Sequence, residues 1–229
     1  MLELAADEVH LWETSLSVDD GELTRVFELL SPDDQWAANA FTHLQARRQY
    51  IVSRGMLRRL LSEYVGVAPQ DIRFTIEGAG KPVLAGERAV DFNLTHSGGL
   101  TLFGVARRPL GVDMEQVREM PRAIELAKRY FSPAQHEEIA GAPADRRSWE
   151  FLSMWVRREA YAKALGTSVW RALGDRQIAT DHRVQFVDYS DEYVAAIAAP
   201  GHDWRIIRMG AIGGAAPGTR YTLRPYERR

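Results

Sequence analysis

Two short runs of the sequence carry side chains suited to handling a charged phosphate. They are Asp113 and Glu115 within residues 111–115, and Glu159 with Lys163 within residues 155–163. The first run reads as a strand, in which Val112 and Met114 point to one face and Asp113 and Glu115 to the other. The second reads as a helix, where Trp155, Glu159 and Lys163, four residues apart, lie close to one face. Two carboxylates in register on a strand, with a third on a helix beside an ammonium, could hold a hard divalent cation and the phosphates it neutralises. Either run alone is more often a solvated strand or helix face. However, apolar Phe151, Leu152 and Trp155 precede Glu159, and the apolar run 102–106 leads through Arg107-Arg108-Pro109 into the acidic strand. That connection predicts an interior hairpin, where unpaired carboxylates are costly. Together the two runs favour a site.

The elements that hold these runs are legible in outline. Val9-His10-Leu11-Trp12 predicts a strand, and Ser31-Pro32 a helix start with Ser at the cap and Pro in the first turn. Residues 40–64 read as a long amphipathic helix rich in arginine, with Arg48 and Arg58 expected on the solvated side and Arg54, between Ser53 and Gly55, free to turn toward a ligand. Residues 72–76 alternate as a strand and run into a glycine turn that leaves Lys81 at a loop edge. Residues 90–94 form another strand, followed by the polar loop Thr95-His96-Ser97-Gly98-Gly99, whose backbone N–H groups can face an anion. Helices are predicted over 122–130, from Ser132 with a capping-box partner in Gln135, and over 149–165, ending at Gly166. Residues 184–189, 193–198 and 204–207 read as antiparallel strands, and the tail from Gly213 as partly ordered around 220–223.

A faint repeat runs through this order. Leu30-Ser31-Pro32 returns as Phe131-Ser132-Pro133, and Arg58-Arg59 with Gly66 returns as Arg157-Arg158 with Gly166, each about 100 residues later. The expected fold is therefore α/β (α+β). Two similar subdomains, 1–109 and 110–229, would be related by a pseudo-twofold with a ligand cleft between them.

Composition excludes several classes. At 229 residues and a net charge of -2, the chain has room for a real core and no general attraction to nucleic acid or an anionic membrane. No apolar run approaches the roughly 20 residues that span a bilayer. Cysteine is absent, which removes disulfides, thiolate metal sites and a cysteine nucleophile. With no Lys or Arg before Arg25, a secretory start is not expected, so the location expected is cytoplasmic. Only three lysines occur (Lys81, Lys128 and Lys163), and two of them fall in the runs singled out here. That is a mild hint of a compact ammonium where arginine would not serve.

Four motifs in order carry a resemblance: Gly80-Lys81-Pro82, then residues 92–98 (Phe-Asn-Leu-Thr-His-Ser-Gly), residues 111–115 and residues 155–163. Over about residues 30–166 the chain resembles the Sfp-type 4′-phosphopantetheinyl transferases. The resemblance implies a pseudo-twofold monomer that binds coenzyme A between two α/β halves. It further implies transfer of the phosphopantetheine arm to a serine of an acyl or peptidyl carrier protein, an acidic helical bundle, with release of adenosine 3′,5′-bisphosphate. Carried over by position, Asp113, Glu115 and Glu159 would hold Mg²⁺, or Mn²⁺ in its place. Glu159, Lys163 and Asp113 would be catalytic, with Lys163 on the pyrophosphate. Lys81, Pro82, Thr95 and His96 would meet the nucleotide end, with Arg48 or Arg54 in the arginine role of the first half.

Three positions depart from the pattern. Arg158 replaces a common lysine, Gln135 replaces a possible glutamate base, and Asp34 and Ala37 stand where some members are basic. Two other readings compete: a non-catalytic module of the same fold that binds a carrier or nucleotide, and a metal-dependent phosphohydrolase.

Overall fold

Period-two alternation builds two sheets and decides what each face meets. The computed structural model describes residues 1–86, 89–174, 178–212 and 221–222. Its strands are β1 (Glu8–Ser15), β2 (Phe74–Glu77), β3 (Lys81–Leu84), β4 (Asp91–Ser97), β5 (Leu100–Ala106), β6 (Gly111–Gln116), β7 (His182–Ser190), β8 (Tyr193–Pro200), β9 (Arg205–Ala211) and β10 (Tyr221–Thr222). Its helices are α1 (Asp20–Glu28), α2 (Pro32–Asn39), α3 (Leu44–Val65), α4 (Ala123–Tyr130), α5 (Pro133–Gly141), α6 (Arg147–Ala164) and α7 (Val169–Gly174). The fold is mixed α/β, as expected.

The first sheet has the order β10-β9-β1-β5-β4, and the second β6-β8-β7, while β2 and β3 form a hairpin of their own. Alternate residues of β1 and β5 serve different cores. Trp12, Phe103 and Val105 pack beneath α3 with Leu57, Leu61 and Phe92. Val9, Leu11, Leu102 and Ala106 face Val112, Met114, Ala195 and Ile197 of the second sheet. On the far side of that sheet, Val194, Ala196 and Ala198 pack against α6 with Val156 and Ala160. The layers are thus α3, sheet, sheet, α6, with a shared apolar core between the two sheets.

The topology departs from the sequence reading in two places. β5 and β6 do not form a hairpin, because β6 pairs with β8 in the second sheet and β5 with β1 and β4 in the first. The Arg107-Arg108-Pro109 connection passes between sheets. Arg107 donates to the Leu4 carbonyl at 2.8 Å, and Arg108 to the Ala6 carbonyl at 2.9 Å and to Asp203 at 2.7 Å. The last strands are not one antiparallel set either. β7 and β8 are antiparallel, but β9 returns to the first sheet and lies parallel to β1. Of the tail, Tyr221–Thr222 pairs with β9, and the rest of 213–229 lies outside the described residues.

The repeated residues hold matching places at helix ends. Ser31 caps α2 and Ser132 caps α5, the latter as a full capping box with Gln135. From the following long helices, Arg58 donates to Ser31 Oγ at 2.8 Å and to Asp34 at 2.6 Å, while Arg158 reaches Gln135 at 3.4 Å. Both arginines are 3% exposed. Gly66 and Gly166 take left-handed φ values of 68° and 63° at the two helix ends, the conformation that favours glycine. Arg58 is therefore not the solvated charge that periodicity predicts.

Candidate active site

The start of β6 is pressed against the last turns of α6. A Cβ at Gly111 would collide with the Ala160 carbonyl, so only glycine lets the two backbones meet there. Since Val112 and Met114 fill the core between sheets, Asp113 and Glu115 turn the other way, toward α6. From α6, Lys163 Nζ donates to Asp113 Oδ1 at 2.7 Å and to the Val112 carbonyl at 3.2 Å. α6 is buried over most of its length between Phe151 and Ala164. The half-exposed positions are Trp155, Arg157, Glu159 and Lys163, so 155, 159 and 163 form one accessible stripe.

A third element closes the cluster. β4 lies beside β6 as the facing edge of the other sheet, and three alternate side chains of β4 join them. Asn93 Oδ1 accepts from the Val112 N–H at 2.8 Å, Thr95 Oγ1 donates to Asp113 Oδ1 at 3.1 Å, and Ser97 Oγ donates to Glu115 at 3.1 Å. Ser97 Oγ also accepts from the Gln116 N–H at 3.0 Å. The two sheets thus meet through side chains instead of a backbone ladder. Asn93, Ser97 and Gly111 were not assigned a site role from the sequence, although the polar i, i+2, i+4 pattern along residues 93–97 was visible.

The charges work against one another. Burial pushes the Asp113 carboxyl up, with Glu115 adding to it, while Lys163 and Thr95 oppose. Burial also pushes Glu159 up, followed by repulsion from Asp113 and Glu115, with Lys163 opposing. As the side chains stand, no group of three His, Asp or Glu among the described residues is placed to hold a metal ion. Asp113 is engaged by Lys163 and Thr95, and Glu115 by Ser97 and by Arg118 at 2.7 Å. The donor chemistry nevertheless fits a hard cation: carboxylate oxygens only, mutually repelling, two of them with raised proton affinity.

The remaining predicted residues are spread around this cluster. Lys81 stands at the edge of the glycine turn, as expected, and is the first residue of β3. Its side chain is already engaged: Nζ donates to the Leu110 carbonyl at 2.9 Å and sits 3.1 Å from Asp91. Pro82 pairs with Ile76 in the β2–β3 hairpin, and the turn of that hairpin touches the end of α6 through Ala79 N–H to the Gly166 carbonyl at 2.9 Å. Thr95, His96 and Ser97 belong to β4 rather than to a loop, with the turn confined to Gly98 and Gly99 at φ 57° and 84°. His96 is exposed.

Neither arginine of the first half is unengaged. Arg48 donates to Asp20 at 2.6 Å and to the Val18 carbonyl at 2.7 Å. Arg54 donates to Asp34 at 3.0 Å, with its guanidinium 4.3 Å over the Phe74 ring. Asp34, noted as a departure from the basic residue of some members, is the acid that holds Arg54 and Arg58.

Comparison with known proteins adds independent findings. The family model described as the 4′-phosphopantetheinyl transferase superfamily matches residues 109–199, and that of the 4′-phosphopantetheinyl transferase N-terminal region matches residues 12–107. The 4′-phosphopantetheinyl transferase HetI of Nostoc sp. is 34% identical, over 89% of this chain and 92% of its own. The 4′-phosphopantetheinyl transferase Sfp of Bacillus subtilis is 26% identical over 66% of each chain. AcpT of Escherichia coli, also named a 4′-phosphopantetheinyl transferase, is 33% identical over 50% of this chain and 57% of its own.

Proposed function

Since the chain belongs to the 4′-phosphopantetheinyl transferase family, we propose that it moves the 4′-phosphopantetheine arm of coenzyme A onto a serine of an acyl or peptidyl carrier protein in a Mg²⁺-dependent reaction. The observation that carries this reading is the meeting of β6 and α6, where Lys163 lies 2.7 Å from Asp113 on the stripe that also presents Glu159. Asp113, Glu115 and Glu159 are the residues that would hold Mg²⁺. When bound, the ion neutralises charge on the pyrophosphate of coenzyme A.

The chain's own groups divide the remaining work. Lys163 supplies a fixed ammonium for the charge that builds on the leaving phosphate. Glu159, its proton affinity raised by burial and by Asp113, is the group suited to take the serine proton. The serine oxygen then forms its bond to phosphorus as the pyrophosphate P–O bond breaks, releasing adenosine 3′,5′-bisphosphate. Lys81, Pro82, Thr95 and His96 would meet the nucleotide end of coenzyme A, the part the family resemblance implies for them. Arg48 or Arg54 would reach a phosphate by exchanging its present carboxylate partner.

The test is the intact mass of a purified apo-carrier protein after incubation with the chain, coenzyme A and Mg²⁺. A gain of one phosphopantetheine, abolished by a chelator, is the expected result. No gain with several unrelated carriers, while coenzyme A still binds, would leave a binding module in its place.

A further inference from the structure

Each of the two strand carboxylates already carries a cation of its own, Lys163 on Asp113 and Arg118 on Glu115. Glu115 Oε2 accepts from Arg118 at 2.7 Å and from Ser97 Oγ at 3.1 Å, and Arg118 also donates to the Gln116 carbonyl at 3.2 Å. Burial pushes the carboxyls of Asp113 and Glu159 up, and the charge of Glu115 adds to both. A guanidinium on Glu115 therefore eases the whole acidic cluster, since it offsets the charge that the other two acids feel.

The two cations are rooted differently. Lys163 comes from the last turn of α6, is 28% exposed, and is tied to the Val112 carbonyl as well as to Asp113. Arg118 is 52% exposed and comes from the link between β6 and α4. The backbone of that link is pinned on both sides of Arg118. Val117 N–H donates to the Glu192 carbonyl at 2.7 Å, and Met120 N–H to Ser148 Oγ at 2.9 Å. The Arg118 side chain can therefore turn into water while the chain that carries it stays in place. Ser97 keeps its hold on Glu115 when that happens.

A divalent ion on Glu115 would lie within a few ångströms of the guanidinium that now meets the same carboxylate. Two positive charges at that separation repel, and water screens them only in part. A long, half-exposed side chain relieves the repulsion by leaving, at the loss of one exposed ion pair.

We propose that Arg118 is the placeholder for the metal. It neutralises Glu115 in the metal-free chain and swings into solvent when a divalent cation binds, so that breaking one ion pair is part of every loading event. Arg118 thereby sets the metal affinity below that of the bare carboxylates. The assignment rests on the metal role given above to Asp113, Glu115 and Glu159.

The experiment titrates the purified chain with Mn²⁺, without coenzyme A or carrier, and counts the free ion by its paramagnetic resonance. Arg118→Gln should bind Mn²⁺ about three- to tenfold more tightly than wild type, the worth of an exposed ion pair together with a neighbouring positive charge. Arg122→Gln is the control. It removes an equal charge nearby, from a residue paired with Glu125 at 3.1 Å, and should leave Mn²⁺ affinity within about twofold. An Arg118→Gln affinity equal to or weaker than that of wild type overturns the placeholder alone. Equal tightening by Arg122→Gln would reduce the effect to general charge and overturn it too. A wild type that binds no Mn²⁺ would remove the metal assignment itself, and the placeholder with it.

Discussion

Glu159 carries its charge at a cost to the folded chain, since burial and Asp113 both favour its protonated form. A carboxylate whose folded pKa is raised binds protons more tightly in the native than in the unfolded state. Its contribution therefore turns against the fold as pH rises above the ordinary value of 4.5. Glu159→Gln keeps the volume and removes the charge. At neutral pH, the melting temperature of this variant without metal should equal or exceed that of wild type. Mg²⁺ should raise the melting temperature of wild type more than that of the variant. Carrier modification should fall by about a hundredfold or more, on the scale of losing one preorganised group. A variant that transfers at near wild-type rate would remove Glu159 from the site.

Residue types told of this cluster because charge at period two and period four is informative. The partner of each charge is not readable: Lys81 on a carbonyl and Asp91, Arg58 under the surface, and Asp34 as the acid of Arg54 and Arg58 depend on contacts between separate elements. Periodicity counts an arginine as polar whether it meets water or a buried carboxylate.

The helices announced themselves through their ends: Ser31-Pro32, the capping box of Ser132 and Gln135, and glycines at 66 and 166. Strand partners were harder, because a polar alternation such as Asn93, Thr95 and Ser97 reads as a wet face until a second sheet stands beside it. Within the first half, Arg58 clamps the start of α2 to α3 and also donates to the Pro69 and Ile72 carbonyls at 2.8 and 2.9 Å. Arg58→Met strands those carbonyls and leaves Asp34 with Arg54 as its remaining guanidinium, and should cost about 2–3 kcal/mol. Urea unfolding of single and double variants with Asp34→Asn measures it. The double variant should lose less than the sum, since the two share one network. A single-variant loss under about 1 kcal/mol would show that the clamp contributes little.

Across the whole molecule, β9 brings a late part of the chain beside β1, a parallel pairing that no local pattern encodes. Its anchor is a buried polar chain. Trp12 Nε1–H donates to Tyr64 Oη at 2.9 Å, Tyr64 Oη meets His10 Nδ1 at 2.7 Å, and His10 Nε2 meets Glu8 at 3.1 Å. Glu8 in turn accepts from Arg205 at 3.1 Å. Burial alone would raise the Glu8 carboxyl, but hydrogen bonds from Arg205, His10 and the Ala5 N–H outweigh it and hold Glu8 at about 2. Because the folded value is the lower one, the stabilisation is present above the ordinary value of 4.5 and is lost as pH falls toward about 2. Its size is at most about 3 kcal/mol. Glu8→Gln should lower urea stability at neutral pH and flatten its decline between those two values. An unchanged slope would take Glu8 out of the acid response.

The return of β9 also has a meaning for biosynthesis. β5 can cover one edge of β1 soon after residue 106 emerges from the ribosome, whereas the other edge waits for residues 205–211. At ~5–20 residues per second this leaves an open strand edge for roughly 5–20 s in each translating chain. Such an edge is a template for pairing with a neighbouring nascent chain, so the speed with which a ribosome crosses codons 110 to 205 would govern the yield of folded enzyme.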